Sequence, residues 1–364
     1  MQRTVKFAAI AAVGILAVAA LGYAAYTSNV PSATNSCAGV KTTSSGVTSA
    51  GQVSSSATLN SNPGTTGFGP HRGHPADVRG RGEPAIGGTI QVVAAENFWG
   101  SLVSQLGGNQ TSVLSIVSDP NADPHEYEAN TSDAVAFTNA QFIIVNGVGY
   151  DDWALQLISA ESTPGQVVLN VGQLNGVAVG GGVVTGNPHQ WYDPNYVNNS
   201  VAAMYTDLVK IAPGERGYFS QNYATLNGSL AQLYGEATSI KQHFAGTEVA
   251  ATEDIFVYLA NFTGLDLISP PEFMEAVAEG NDPPAQSVVE FQCQLESGHV
   301  KVLVYNEQTV TPITINLKAI AAAHNVTIVG VTETIQPPGV TFQSWMYGQY
   351  LALYNALNAN ALGQ

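Results

Sequence analysis

From about residue 89 onward, short runs of β-branched and other apolar residues alternate with stretches whose apolar positions recur at helical spacing. Residues 89–94, 112–117, 141–146 and 166–170 read as strands, each bounded by polar or turn-forming residues. Between them, residues 96–106, about 131–139 and 151–159 read as helices. Thr131 or Ser132 is the expected cap of the second, because a hydroxyl there satisfies free amides of the first turn. A glycine-rich excursion covers 172–186. Alternation of this kind predicts a parallel sheet flanked by helices.

The pattern then changes. Residues 194–244 have helical character and little strand character, with a break near Pro213-Gly214. At 1.5 Å per residue the stretch 215–244 would run about 45 Å, more than one small lobe needs, so it reads as a connector. Alternation resumes with a strand at 248–252, helices at 255–263 and 283–297, a strand at 300–305, a helix at 313–324, a strand at 326–331 and a helix at 342–357. The predicted fold class is α/β, with two lobes, each a parallel sheet flanked by helices, joined by one long connecting helix. The expected boundaries are 89–212, 213–246 and 247–364.

The first 88 residues are of another kind. Arg3 and Lys6 precede an uncharged run at 7–26, the order of a signal peptide or an N-terminal membrane anchor, so export is expected. About 20 apolar residues also suffice to span a bilayer. Cys37 follows Thr34-Asn35-Ser36, which lacks the aliphatic residue of a lipobox, so an anchor or ordinary cleavage is favoured over lipidation. Residues 27–88 are rich in Ser, Thr, Gly and Pro and read as a disordered tether, having too little apolar surface to offset chain entropy. His71 and His74 lie in this tether, which is basic and reads as solvated. Two cysteines, Cys37 and Cys293, imply no disulfide framework.

Charge is unevenly divided. Residues 1–88 hold six Lys/Arg and two Asp/Glu, a balance of +4, whereas residues 89–364 hold five and 25, a balance of −20. So acidic a body disfavours nucleic acid and concentrates cations at its surface.

Two motifs give that preference a chemistry. Asp123-Pro124-His125-Glu126-Tyr127-Glu128 and Asn187-Pro188-His189-Gln190-Trp191-Tyr192-Asp193-Pro194 each place a histidine after a proline. Proline fixes its own φ and pushes the preceding residue into an extended shape, so each imidazole is presented in a defined direction, as a metal ligand requires. His243, His299 and His324 have no ligand-like neighbourhood and read as structural. Two acidic residues, Glu253 and Glu333, follow strands of the second lobe, where ligands of open parallel sheets collect. On chemistry alone Glu253 is as well explained by attraction to a helix N-terminus. Glu307 also ends a strand and rivals Glu333.

With Asn146-Gly147 before Tyr150, Thr252-Glu253 and Thr332-Glu333-Thr334, these motifs resemble the zinc/manganese substrate-binding proteins of bacterial ABC importers over about residues 88–360. The resemblance implies two α/β lobes joined by a rigid helix, with one divalent ion held between them. It implies His125 and His189 as ligands from the first lobe and Glu253 and Glu333 from the second. Glu333 stands where many members have Asp. It also implies an extracytoplasmic, non-enzymatic receptor for Mn²⁺ or Zn²⁺, with Fe²⁺ a further candidate, that docks as a monomer on a membrane permease. Two imidazoles with two carboxylates lean towards the harder Mn²⁺ or Fe²⁺, although intrinsic affinities favour Zn²⁺ at most such sites. Competing functions are a metal-containing surface adhesin and a metallohydrolase. Against the hydrolase, no His-Glu-x-x-His helix is present, and four protein ligands leave no open position for water.

Overall fold

The computed structural model describes residues 88–362, apart from 122–123, 162 and 178–185. The signal or anchor segment, the tether up to residue 87 and Cys37 lie outside the described residues. Among the described residues no helix is long and apolar enough to cross a membrane.

Eight strands form two four-stranded parallel sheets. The first holds β1 (Ile90–Glu96), β2 (Thr111–Val117), β3 (Phe142–Val145) and β4 (Val167–Asn170) in the order β2-β1-β3-β4. The second holds β5 (Glu248–Ala251), β6 (Asp266–Leu267), β7 (Val302–Asn306) and β8 (Thr327–Val331) in the order β6-β5-β7-β8. Each sheet grows to one side and then reverses, between β1 and β3 and between β5 and β7. Such reversals leave a crevice outside the carboxyl ends of the strands, where ligands bind in open α/β sheets. Buried strands on both faces explain why β3 reads as an unbroken apolar run, Phe-Ile-Ile-Val.

Between the sheets runs the helix Arg216–Phe244, preceded by a 3₁₀ turn at Pro213–Glu215 that fits the break expected there. Its 29 residues extend about 43 Å. Phe219, Leu226, Leu230, Leu233, Ala237, Ile240 and Phe244 are its buried positions, and steps of three, four and seven keep them on one face. That stripe belongs to a single apolar cluster that also includes Ile90, Val92 and Phe142 of the first sheet and Val249, Val302 and Val329 of the second. The last helix, Phe342–Ala361, packs on the connecting helix and on β8, and also touches the helix Asn97–Gly107 of the first lobe. Gln343 on this helix exchanges hydrogen bonds with Gln105 and donates to Ser229.

Several expectations are refined. Asn130, not Thr131 or Ser132, caps the helix Thr131–Asn139: its side chain accepts the Ser132 N–H while Asp133 accepts the Asn130 N–H. The helix Pro271–Ala278 and the two-residue strand β6 fall in a segment where the pattern predicted no element. Cys293, buried on the helix Ala285–Glu296, is disulfide-bonded, which the cysteine count had not suggested.

Candidate metal centre

The side chains singled out in the sequence converge at the carboxyl ends of the strands. His125 lies in a 3₁₀ turn, Pro124–Glu126, beyond β2, and His189 immediately precedes another, Gln190–Tyr192. Glu253 follows β5 and Glu333 follows β8. Each offers one ligand atom, and these four atoms all lie within 4.8 Å of one another. His189 Nε2 is 3.4 Å from Glu253 Oε1 and 3.7 Å from Glu333 Oε2, which in turn is 3.3 Å from His125 Nε2. Glu307 is not among them; it is exposed.

Local structure aims each group. His189 Nδ1 faces two acceptors, Asn187 Oδ1 at 2.9 Å and Asp254 Oδ1 at 3.1 Å. Asn187 also accepts the His189 N–H and donates to the Asp254 carbonyl, so its amide cannot turn without losing both. A proton on Nδ1 is thereby favoured, which leaves the Nε2 lone pair facing the glutamates, as a metal-binding imidazole needs. The ring of Trp191 packs at 5.2 Å from His189 and stacks on Phe98. Trp191 thus packs around the ligand ring, while Tyr127 donates to Asp133 and lies against Trp153.

Glu253 occupies the position before a short 3₁₀ turn, yet its side chain makes no capping hydrogen bond. The helix-terminus explanation of this carboxylate therefore fails, and the side chain turns to Asn306 and the imidazoles. Glu333 is held by its backbone: Gln308 Oε1 accepts the N–H groups of Glu333 and Thr334 at 2.7 and 2.9 Å.

Sequence reasoning assigned no role to Tyr150, although its stretch was part of the resemblance. Its hydroxyl donates to Glu333 Oε2 at 2.7 Å, crossing from the first sheet's loops to the second's. The turn that carries it needs positive φ at Gly147, Val148 and Gly149, and is pinned by Asp151, whose carboxylate accepts the N–H groups of Asn146 and Gly147. Asn146 in turn donates to the Pro188 carbonyl, tying this loop to the one that presents His189. Beneath the loop the Glu96 carboxyl is buried, and burial together with nearby Asp151 raises its pKa well above the usual range. Neither Asn306 nor Asp254 stood out by residue type.

The electrostatics are those of a site that favours cations. Burial alone would lower the imidazole pKa values, yet Glu333 brings His125 up to about 8, and Asp254 with Glu333 brings His189 up to about 10. Burial and the neighbouring Glu333 raise the Glu253 carboxyl. Burial would raise Glu333 too, but His125 and His189 outweigh it and hold it well below the ordinary value. The arrangement also fits a bound ion on a second ground. His189 Nε2 and Glu253 Oε1 are buried and face each other at 3.4 Å without a well-formed hydrogen bond, an arrangement that an ion between them would satisfy better.

The comparisons with known proteins agree with this architecture. The family model described as "Zinc-uptake complex component A periplasmic", ZnuA, matches residues 92–356. The chain is 24% identical over 218 residues to the manganese-binding lipoprotein MntA of Halalkalibacterium halodurans, covering 57% of this chain and 68% of that one. It is 26% identical over 170 residues to the zinc-binding protein TroA of Treponema pallidum, covering 46% of this chain and 52% of TroA. The solved TroA structure aligns with a TM-score of 0.64 at 18% identity, covering 74% of this chain and 99% of that one. The structure of the laminin-binding adhesin Lmb of Streptococcus agalactiae aligns with a TM-score of 0.62 at 19% identity, again over 74% and 99%. At such identities the structural likeness shows the fold. The family model spans well over half of the sequence, and the chain belongs to the ZnuA family of metal-binding solute-binding proteins.

Proposed function

We propose that this protein captures one divalent transition-metal ion, Mn²⁺ or Zn²⁺, outside the cytoplasm, with His125, His189, Glu253 and Glu333 as its ligands, and delivers it to the permease of an ABC importer. The ion is cargo. The single observation that carries the reading is the convergence of four ligand atoms from four separate loops, two in each half of the fold, within 4.8 Å. Two neutral imidazoles and two carboxylates give a site of charge −2 that compensates a divalent ion. Nitrogen and oxygen donors suit Mn²⁺, Fe²⁺ and Zn²⁺ alike, and the relatives' names include both manganese and zinc.

Four protein ligands also argue against an enzyme, because catalytic zinc sites keep a position open for water. A purely structural ion, as a surface adhesin could carry, is the remaining alternative. Reversible exchange separates them. Dialysis of the loaded protein against a chelator, followed by circular dichroism and reloading, should give an ion-free protein that stays folded and rebinds. Unfolding on removal of the ion would support a structural site instead.

A further inference from the structure

Asn306 ends β7 and is buried between the two glutamates. Its Oδ1 accepts the Gln308 backbone N–H at 3.0 Å, which fixes the amide with Nδ2 facing the carboxylates. An amide nitrogen carries two hydrogens. Nδ2 lies 2.7 Å from Glu253 Oε2 and 2.7 Å from Glu333 Oε1, with Thr309 Oγ1 at 3.0 Å. The other two carboxylate oxygens, Glu253 Oε1 and Glu333 Oε2, are the ones 3.4 and 3.3 Å from the imidazole nitrogens of His189 and His125. One side chain thus holds one oxygen of each glutamate and leaves the other facing the histidines, where Glu333 Oε2 also accepts the Tyr150 hydroxyl at 2.7 Å.

We propose that Asn306 determines the metal preference of this centre, by restricting each glutamate to one ligand oxygen and so fitting the site to a four-coordinate ion such as Zn²⁺ over six-coordinate Mn²⁺. The inference rests on the metal-capture reading above. A carboxylate oxygen that the amide draws away from the imidazoles is poorly placed to join its partner oxygen in a two-oxygen chelate on the ion, whereas Glu333 Oε2 keeps a second lone pair beside its bond from Tyr150. Two imidazole nitrogens and two single oxygens then make four donors, the tetrahedral set of Zn²⁺. Mn²⁺ prefers an octahedral shell and gains most from carboxylates that offer both oxygens. The clamp therefore opposes the lean towards Mn²⁺ that the hardness of two carboxylates alone would give.

Asn306→Leu keeps the size of the side chain and removes both donors. On the full chain, Zn²⁺ and Mn²⁺ affinities would be measured by competition with a chromophoric chelator at one pH. The Zn²⁺ to Mn²⁺ ratio should fall in the variant by about tenfold, as expected if about 1.4 kcal/mol of discrimination is lost. Co²⁺ loaded into the parent gives an independent reading that needs no variant, because four-coordinate Co²⁺ absorbs visible light strongly and six-coordinate Co²⁺ weakly. Strong visible bands are expected. A weak, six-coordinate spectrum overturns the assignment even if the variant fails to fold, and so does a folded variant whose ratio is unchanged. A parent that takes up none of the three ions overturns the capture reading and this assignment with it.

Discussion

His125 keeps about 20% of its side chain exposed, whereas His189 is fully buried and holds Asn187 and Asp254 through its ring. Both sequence motifs placed their histidine on a loop, but only one of those loops stays near solvent. His125→Ala should therefore weaken metal binding strongly and lower the melting temperature of the ion-free protein only modestly, through the lost pairing with Glu333. His189→Ala should weaken binding as much and also destabilise the ion-free fold, by about 2 kcal/mol, because it strands buried acceptors. Chelator competition and thermal unfolding on both variants would check this, and equal melting temperatures would contradict the second half. The same side chains set a pH dependence. With imidazole pKa values raised to about 8 and about 10, both rings carry protons at neutral pH and must release them to bind an ion. Apparent metal affinity should rise with pH, and uptake near neutral pH should release protons from the imidazoles and the raised Glu253 carboxyl, fewer per ion as the pH passes 8, measurable by calorimetry in buffers of different ionisation enthalpy. For the ion-free protein the sign is opposite. Folded pKa values above the ordinary 6.5 mean stabilisation that is complete below pH 6.5 and is lost as pH rises through 8 and then 10. Its melting temperature should fall over that window while the protection given by a bound ion grows.

Among the elements, the connecting helix Arg216–Phe244 packs against both lobes although its sequence signal is weak, since its apolar stripe is diluted by Ser, Thr, Asn and Gln. Leu230, wholly buried in the middle of that stripe, should cost about 2–5 kcal/mol when truncated to Ala, seen as a lower midpoint in denaturant unfolding. Loss of under 0.5 kcal/mol would mean the stripe is not the joint between the lobes. The strands were legible because β-branched runs bounded by turn residues have few other uses, and the helix break because Pro213-Gly214 marks it. Pro271–Ala278 was missed: its eight residues begin at a Pro-Pro step that reads as loop, and burial of Phe273, Met274 and Val277 overrides that local signal. The four proposed ligands were readable from proline-directed histidines, strand-end acids and the resemblance. Asn306 and Tyr150 were not, because their roles depend on strand register. Asn306 pairs with Val331, which brings the residue two positions later, Glu333, over its amide; nothing local to Tyr305-Asn306-Glu307 encodes that neighbour.

For the molecule as a whole, an acidic body with a balance of −20 over residues 89–364 raises the local concentration of cations, while the two-sheet frame turns that diffuse attraction into one site. All four proposed ligands and both sheets lie after residue 88. A chain starting at Gly88, although it also lacks Cys37, should accordingly fold and bind an ion with the affinity of the full protein, and a soluble, folded fragment unable to bind would show that the segment before Gly88 completes the site. The most direct test of the central claim is native mass spectrometry of the full protein and of a His125→Ala/His189→Ala variant, each purified without added metal and then titrated with Zn²⁺ and Mn²⁺. The account predicts one ion per parent chain and none retained by the variant at equal concentration. A folded parent that stays metal-free, or a variant that binds as well as the parent, would contradict it.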